Sequence, residues 1–439
     1  MSIPHSESTA ASEDSHEKPL RVVIIGGGIG GLALAQLLRG DDKFQVTLYE
    51  RGELEGGQSQ LAGFRIMVAL EMLTALRDRL PKDVLPLLEE SIGVQPSSGQ
   101  SLCMFNEKGK ITMKYTTPDF RAARSVSRWK LRKALLVGSE SFVKFGKEFE
   151  SYKSTTNGVT VIFKDGERVE CDLLVGADGA GSKVRKQLLP KASRSDTKVT
   201  VIYFKMPLTP ETECMMPYGS GCLIMAPRRS MIVSSWKNPK KHYGPDDLKK
   251  IDGDESFLMC GLGCYTNEFV NQTKHPDDMT PEELKDECLA RTQHWHPLFR
   301  SLIAKTIPES VFVSHIKTQD RISPWKSSNV TLLGDAAHST ASMTPYLGKG
   351  ATSALFDALQ LANILKSDSN PPLSAKLARY EGNMLKQGFS VADKSMSVHK
   401  LVFNMGKNRM MAKCRDRFLS SLDVVVGEKE PKGKPFPGK

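Results

Sequence analysis

The sequence carries a net charge of +11 but has no block of like charges. Lys240-Lys241 and Lys249-Lys250 are only pairs. With no basic tract and no recognition motif, the excess reads as a solvated surface that helps attract anionic cofactors, and no nucleic-acid partner is expected. An uninterrupted membrane-spanning run is also missing. The nearest candidate starts at Val22 and is broken by a cluster of glycines, so no transmembrane segment is expected. Residues 1–19 are polar and lack the apolar centre of a signal peptide. They read as a disordered leader and the protein as cytoplasmic.

Cysteine shows no organised pattern. The eight residues are scattered, which with no secretory signal points to free thiols. Cys260-x-x-x-Cys264 has neither the spacing nor the neighbours of a zinc site. His294-Trp295-His296 cannot place both imidazoles on one helix face, so no metal is expected. There is no internal repeat, and residues 428–439, rich in Lys, Pro and Gly, read as a flexible tail.

The most informative stretch is Val22 to Glu50. An apolar run, Val22-Val23-Ile24-Ile25, leads into Gly26-Gly27-Gly28-Ile29-Gly30-Gly31 and then a helix-like run to Leu38. After a polar break at Gly40-Asp41-Asp42, a second strand runs from Phe44 to Glu50. This is a βαβ unit with G-x-G-x-x-G at Gly26, Gly28 and Gly31, a dinucleotide-binding fingerprint. The first glycine permits the tight turn, the second lets backbone approach a pyrophosphate, and the third lets helix and strand pack closely. The helix N-terminus offers N–H groups and partial positive charge to phosphates. Glu50, closing the second strand, is placed to accept hydrogen bonds from ribose hydroxyls.

Two later buried strands also end in aspartate. Leu173-Leu174-Val175-Gly176-Ala177-Asp178-Gly179 leads into a helix capped near Ser182. Val330-Thr331-Leu332-Leu333-Gly334-Asp335-Ala336-Ala337-His338 leads through a loop to Gly348-Lys349-Gly350-Ala351-Thr352 and a long helix. Between them, residues 197–322 change texture: short strand candidates with a helical interruption from Pro281 to Thr306 suggest a separate, mostly antiparallel sheet.

In this order, the three stretches resemble the single-component FAD-dependent aromatic hydroxylases, the para-hydroxybenzoate hydroxylase-like (class A) flavoprotein monooxygenases. Gly176 to Arg185 looks like the "DG" motif of that family. Gly334 to His338, with Pro345, Gly348 and Gly350, looks like its "GD" motif. Arg128, in Ser127-Arg128-Trp129-Lys130-Leu131, matches its flavin-contacting arginine. The resemblance implies an α/β protein: a Rossmann-like (GR2-type) FAD-binding domain, an inserted, mostly antiparallel sheet substrate domain and C-terminal helices. The implied boundaries are 20–75, 119–196 and 325–370 for the discontinuous FAD-binding domain, 76–118 and 197–324 for the substrate domain, and 371–427 for the C-terminal helices.

It also implies roles. Gly26, Gly28, Ile29, Gly30 and Gly31 cradle FAD, Glu50 binds the adenosine ribose with Arg51 beside it, and Gly63 belongs to the glycine-rich loop that follows. Arg128 sits near the FAD phosphates, Asp335 holds the ribityl or pyrophosphate region, and Asp178 joins the cofactor contacts. Gly348, Gly350 and Ala351 face the flavin ring, whose reduced form carries negative charge that a helix N-terminus stabilises, and Pro345 belongs to the same cofactor-binding set. Two departures fall here. Pro345 lies seven residues after His338 where the family has four, and Thr352 replaces the usual asparagine.

The implied activity is NAD(P)H-consuming monooxygenation through a C4a-hydroperoxyflavin, with O2 as co-substrate and a small aromatic or polyketide-like secondary metabolite as substrate. No second G-x-G-x-x-G is present, which fits transient NAD(P)H docking. A base or cation would favour a phenolate substrate, and Tyr203, Tyr218, Arg228 and Tyr265 are the candidates. A flavin-dependent dehydrogenase or reductase of the same fold is the alternative. His338 reads as structural rather than as a base. The assembly is expected to be a monomer or a homodimer.

Overall fold

The computed structural model describes residues 18–53, 64–94, 100–117, 123–155, 158–213, 221–239, 256–340, 350–367 and 371–426. Pro345, Gly348, Gly63 and Tyr218 lie outside these described residues.

The first strand, Leu20–Ile25, sits at the centre of a five-stranded parallel sheet. Phe44–Tyr49 and then Val143–Lys144 lie on one side, and Leu173–Gly176 and then Val330–Leu332 on the other. A sheet with both faces covered requires continuous apolar strands. Ile24, Leu174, Val175, Val330 and Leu332 have no exposed surface. Helix Ile29–Leu38 is buried along its whole length because the long helix Gly350–Lys366 packs across it.

Lys164-Asp165-Gly166-Glu167 turns a hairpin, and Phe149–Thr155 joins it as a third antiparallel strand. Arg65–Val68 pairs with Arg124–Ser127 in a two-stranded ribbon. Leu73, Leu76, Leu80, Val84 and Leu88 pack into the core of the parallel sheet. The sequence boundary at residue 76 therefore falls inside this core.

The second sheet has seven strands. In spatial order they are Phe312–Gln319, Arg194–Pro207, Phe257–Tyr265, Arg229–Trp236, Gly221–Ala226, Gln100–Asn106 and Ile111–Thr117. Neighbours are antiparallel, except that Gly221–Ala226 and Gln100–Asn106 run parallel. Side chains alternate between faces. Ile202, Phe204 and Met206 enter the core shared with helices Pro281–Arg291 and Pro297–Ala304. Val199, Val201 and Tyr203 face the other way, toward the C-terminal helices and Phe64.

Helix Leu373–His399 packs on the parallel sheet through Leu377, Tyr380, Met384 and Phe389. It runs through a short π-helical turn at Lys400–Asn404 toward a last helix, Arg409–Val426. That helix falls within residues 371–427, where C-terminal helices are expected. All seven described cysteines are free. Among the described residues no helix is long and apolar enough to cross a membrane.

Candidate active site

The nucleotide end is built by the turn after Leu20–Ile25. Gly26 has φ +114°, and a Cβ there would stand 2.4 Å from the Ala177 carbonyl oxygen, so both conformation and space demand glycine. A Cβ on Gly31 would lie 2.2 Å from the Gly26 carbonyl oxygen, which lets the helix press onto the turn. Gly30 is equally tight against Leu333, with 2.5 Å to its Cδ2. Gly28 is different: a Cβ there meets nothing within 4 Å. It is the N-cap of helix Ile29–Leu38 and no side chain caps that end. An open glycine at an uncapped helix N-terminus is what a pyrophosphate needs.

Glu50 braces this turn. Its Oε2 accepts from the Gly27 N–H at 2.6 Å and its Oε1 from the Gly52 N–H at 2.8 Å. A carboxylate has about four acceptor positions, so ribose hydroxyls still find room. Arg51 is exposed next to it. Arg132 donates from Nε to the Gly27 carbonyl at 3.1 Å, and burial lowers its pKa against the pull of Glu50. Arg132 was missed in the sequence, although it stands four residues after Arg128 on one helix and so shares its face.

The two strand-end aspartates do different things. Asp178 caps helix Lys183–Leu188: Oδ1 accepts from the Ser182 hydroxyl at 2.5 Å and Oδ2 from the Lys183 N–H at 2.7 Å. Its carboxylate is thus engaged in capping, beside the Gly26 turn. Asp335 caps nothing in this way. Its carboxylate keeps access to solvent at the end of its strand. Burial raises its pKa, opposed by His338, Arg128 and Arg194. A Cβ on Gly350 would stand 4.0 Å from its Oδ1, so the carboxylate faces the start of the long helix, where Ala351 follows.

Arg128 opens helix Arg128–Leu135, and its N–H donates to the Phe64 carbonyl at 2.8 Å. Burial lowers the pKa of its guanidinium, with Arg132 adding to the effect and Asp335 opposing it. Thr352 hooks the long helix to the Arg65–Val68 ribbon. Its hydroxyl donates to the Met67 carbonyl at 3.2 Å and accepts from the Ala69 N–H at 3.3 Å. His338 is buried and bonds through Nε2 to Asp357 Oδ2 at 2.6 Å, while Asp357 also accepts from the Gly334 N–H.

The candidate substrate residues divide into two places. Tyr203 lies over Gly261, where a Cβ would come within 2.7 Å of its ring. Phe64 meets it edge-on at 5.2 Å and Phe312 stacks on it at 5.2 Å. Burial raises its pKa to about 12, so it is a neutral donor and not a base. Arg228 and Tyr265 sit elsewhere. Tyr265 is opposite Val199, four residues along the strand from Tyr203, or about 13 Å. Arg228 stacks over the Tyr265 ring at 5.3 Å and is ion-paired to Glu268. The structure therefore does not bring Arg228 and Tyr265 to Tyr203.

Sequence comparison fits this geometry. The FAD binding domain family matches residues 19–382. The chain belongs to this family. Its resemblance to the class A, aromatic-hydroxylase-like flavoprotein monooxygenases holds, and FAD is the cofactor that its glycine turn, Glu50 and Asp335 fit. A dual O-methyltransferase/FAD-dependent monooxygenase, CTB3 of Cercospora beticola, is 30% identical over 86% of this chain and 45% of that protein. A 6-hydroxynicotinate 3-monooxygenase of Pseudomonas fluorescens is 25% identical over 84% of this chain and 89% of that one. A solved structure from Photorhabdus luminescens, assigned as an FAD-containing monooxygenase, is 30% identical with a TM-score of 0.72, covering 88% of this chain and 98% of its own. The chain spans about half the length of the first curated relatives it matches.

Proposed function

We propose that the protein is an NAD(P)H-consuming monooxygenase that places one oxygen atom of O2 into a small aromatic or polyketide-like metabolite. The balanced reaction takes NAD(P)H, a proton, O2 and substrate to NAD(P)+, water and the oxygenated product. The observation that carries this reading is Asp335, solvent-accessible at a strand end and facing the N-terminus of helix Gly350–Lys366. Relatives named FAD-dependent monooxygenases support it.

Bound FAD supplies hydride acceptance and oxygen activation. The chain's own residues do the rest. The glycine turn and Glu50 hold the adenosine end, and Arg128 lies near the phosphates. Asp335 takes the ribityl hydroxyls. The backbone N–H groups at Gly350 and Ala351 point a helix N-terminus at developing negative charge. The aromatic wall of Phe64, Tyr203 and Phe312 packs against a planar substrate and excludes water.

The test is turnover under 18O2 with NADPH and a panel of phenols, hydroxypyridines and polyketide aromatics, followed by mass spectrometry. One labelled oxygen per product molecule is expected. NADPH oxidation that gives only hydrogen peroxide, with no labelled product from any compound, would replace this reading with the flavin-dependent reductase.

A further inference from the structure

The face of the seven-stranded sheet that carries Tyr203 holds a lysine where an aliphatic residue would be expected. Lys205 is 7% exposed and lies two residues from Tyr203, on the same face of strand Arg194–Pro207. Its ammonium sits over two aromatic rings, 5.3 Å from the centre of Phe64 and 4.8 Å from that of Phe257. No carboxylate among the described residues pairs with it. Its backbone is fully used, with the N–H donating to the Ser310 hydroxyl and the carbonyl accepting from the Ile307 N–H.

A second buried cation stands next to Phe64 in the chain. Arg65 follows Phe64 directly and is 9% exposed. Its Nε donates to the Ser125 hydroxyl at 2.7 Å, which donates onward to the Ser235 carbonyl. No carboxylate among the described residues pairs with Arg65 either. Burying an ammonium without a counter-ion is costly, and ring faces offset only part of that cost. The ammonium over Phe64 makes the local potential positive, in a place where Phe64 also joins Tyr203 to the Arg128 backbone.

We propose that Lys205 is the anion subsite of the substrate pocket, and that it selects aromatic substrates bearing an ionised phenol, enol or carboxylate. This rests on the monooxygenase reading for the word substrate, but not for the binding itself. The anion displaces the ammonium from its place over the rings and pairs with it, while the aromatic body lies against Phe64 and Tyr203. When a phenol binds, its proton leaves to solvent and the phenolate remains. Burial lowers the Lys205 pKa to about 8, which leaves the ammonium the main form at neutral pH.

The experiment uses the FAD-loaded protein and two probes of similar shape, 4-nitrophenol and nitrobenzene, with no turnover. At a pH below the free phenol's own pKa, difference spectra should show 4-nitrophenol bound as its yellow anion. Lys205→Met should weaken 4-nitrophenolate binding by about tenfold or more. Nitrobenzene affinity should stay within about twofold, and flavin content should be unchanged. Lys205→Arg should restore much of the preference. Equal loss for both probes, or no loss for either, would overturn the proposal. Binding that behaves as described while 18O2 turnover yields no labelled product would leave the anion subsite standing and sink the monooxygenase reading alone.

Discussion

The two sheets handle buried charge in opposite ways. Around the parallel sheet four carboxylates are answered by the protein itself, while Asp335 stays open. Asp172 takes Arg21 at 2.7 Å, Asp357 takes His338 at 2.6 Å, Asp178 caps a helix, and Glu50 takes two backbone N–H groups. On the second sheet Lys205 has no carboxylate partner among the described residues, and neither has Arg65 on the two-stranded ribbon. The same sheet's far face closes its charge again, with Glu287 paired to Arg291 in helix Pro281–Arg291. The lesson is that the nucleotide half is prebuilt. One face of the second sheet keeps charge in reserve, and a ligand is the natural group to complete it.

The largest effect should come from breaking the prebuilt turn. Gly26→Ala forces a Cβ into φ +114° and against the Ala177 carbonyl oxygen at 2.4 Å. We expect a loss of roughly 4 kcal/mol of stability, read as a lower melting temperature with little FAD retained. Gly28→Ala is the partner measurement. Its methyl enters open space, so the protein should fold with near-normal melting temperature but hold FAD more weakly. If both variants fold and retain FAD alike, the turn is not a cofactor cradle.

A smaller loss should follow Asp357→Ala. It strands a buried imidazole and the Gly334 N–H, at a cost of about 3 kcal/mol. The pH dependence sharpens this. Burial works against a charged His338, but Asp357 outweighs it, and the folded pKa lies above the ordinary 6.5. The contribution is therefore fully present below pH 6.5 and is lost as pH rises through the raised folded value. Thermal melts across that window should show the decline in wild type and a flatter profile in Asp357→Ala. An unchanged profile would mean that the pair carries no net charge effect.

Legibility in the sequence tracks how strictly geometry restricts residue choice. The glycine turn, Glu50, the Ser182 cap and the two strand-end aspartates were visible because few other residues could stand there. Whether Asp178 or Asp335 stays open to a ligand was not visible, since both end buried strands. It depends on whether a helix begins close enough to use the carboxylate, as it does at Lys183. The order of the seven-stranded sheet was hidden, because Gly221–Ala226 pairs with Gln100–Asn106 across more than a hundred residues. Arg228 and Tyr265 looked like substrate residues by type, and only the strand register separates them from Tyr203. Lys205 was overlooked for the opposite reason: a lysine in a strand reads as a solvated edge, and its burial depends on Phe64 and Phe257 arriving from elsewhere.

The smallest effect has the opposite sign and tests the comparison most directly. If Lys205 is held for a ligand, the empty protein carries its cost, and Lys205→Met should stabilise the fold by about 1 kcal/mol while weakening anion binding. Linkage gives a second signature. The folded pKa is depressed from 10.5 to about 8, so between these values the unfolded chain binds more protons than the folded one. This group's contribution is fully present above pH 10.5 and is lost as pH falls through about 8. Wild-type stability should carry that rising component across the window, and Lys205→Met should lack it, as differential melts of the two proteins would reveal. A variant less stable than wild type at every pH would make the ammonium a clasp for Phe64 and Phe257. The substrate sheet would then satisfy its charge internally, as the nucleotide sheet does.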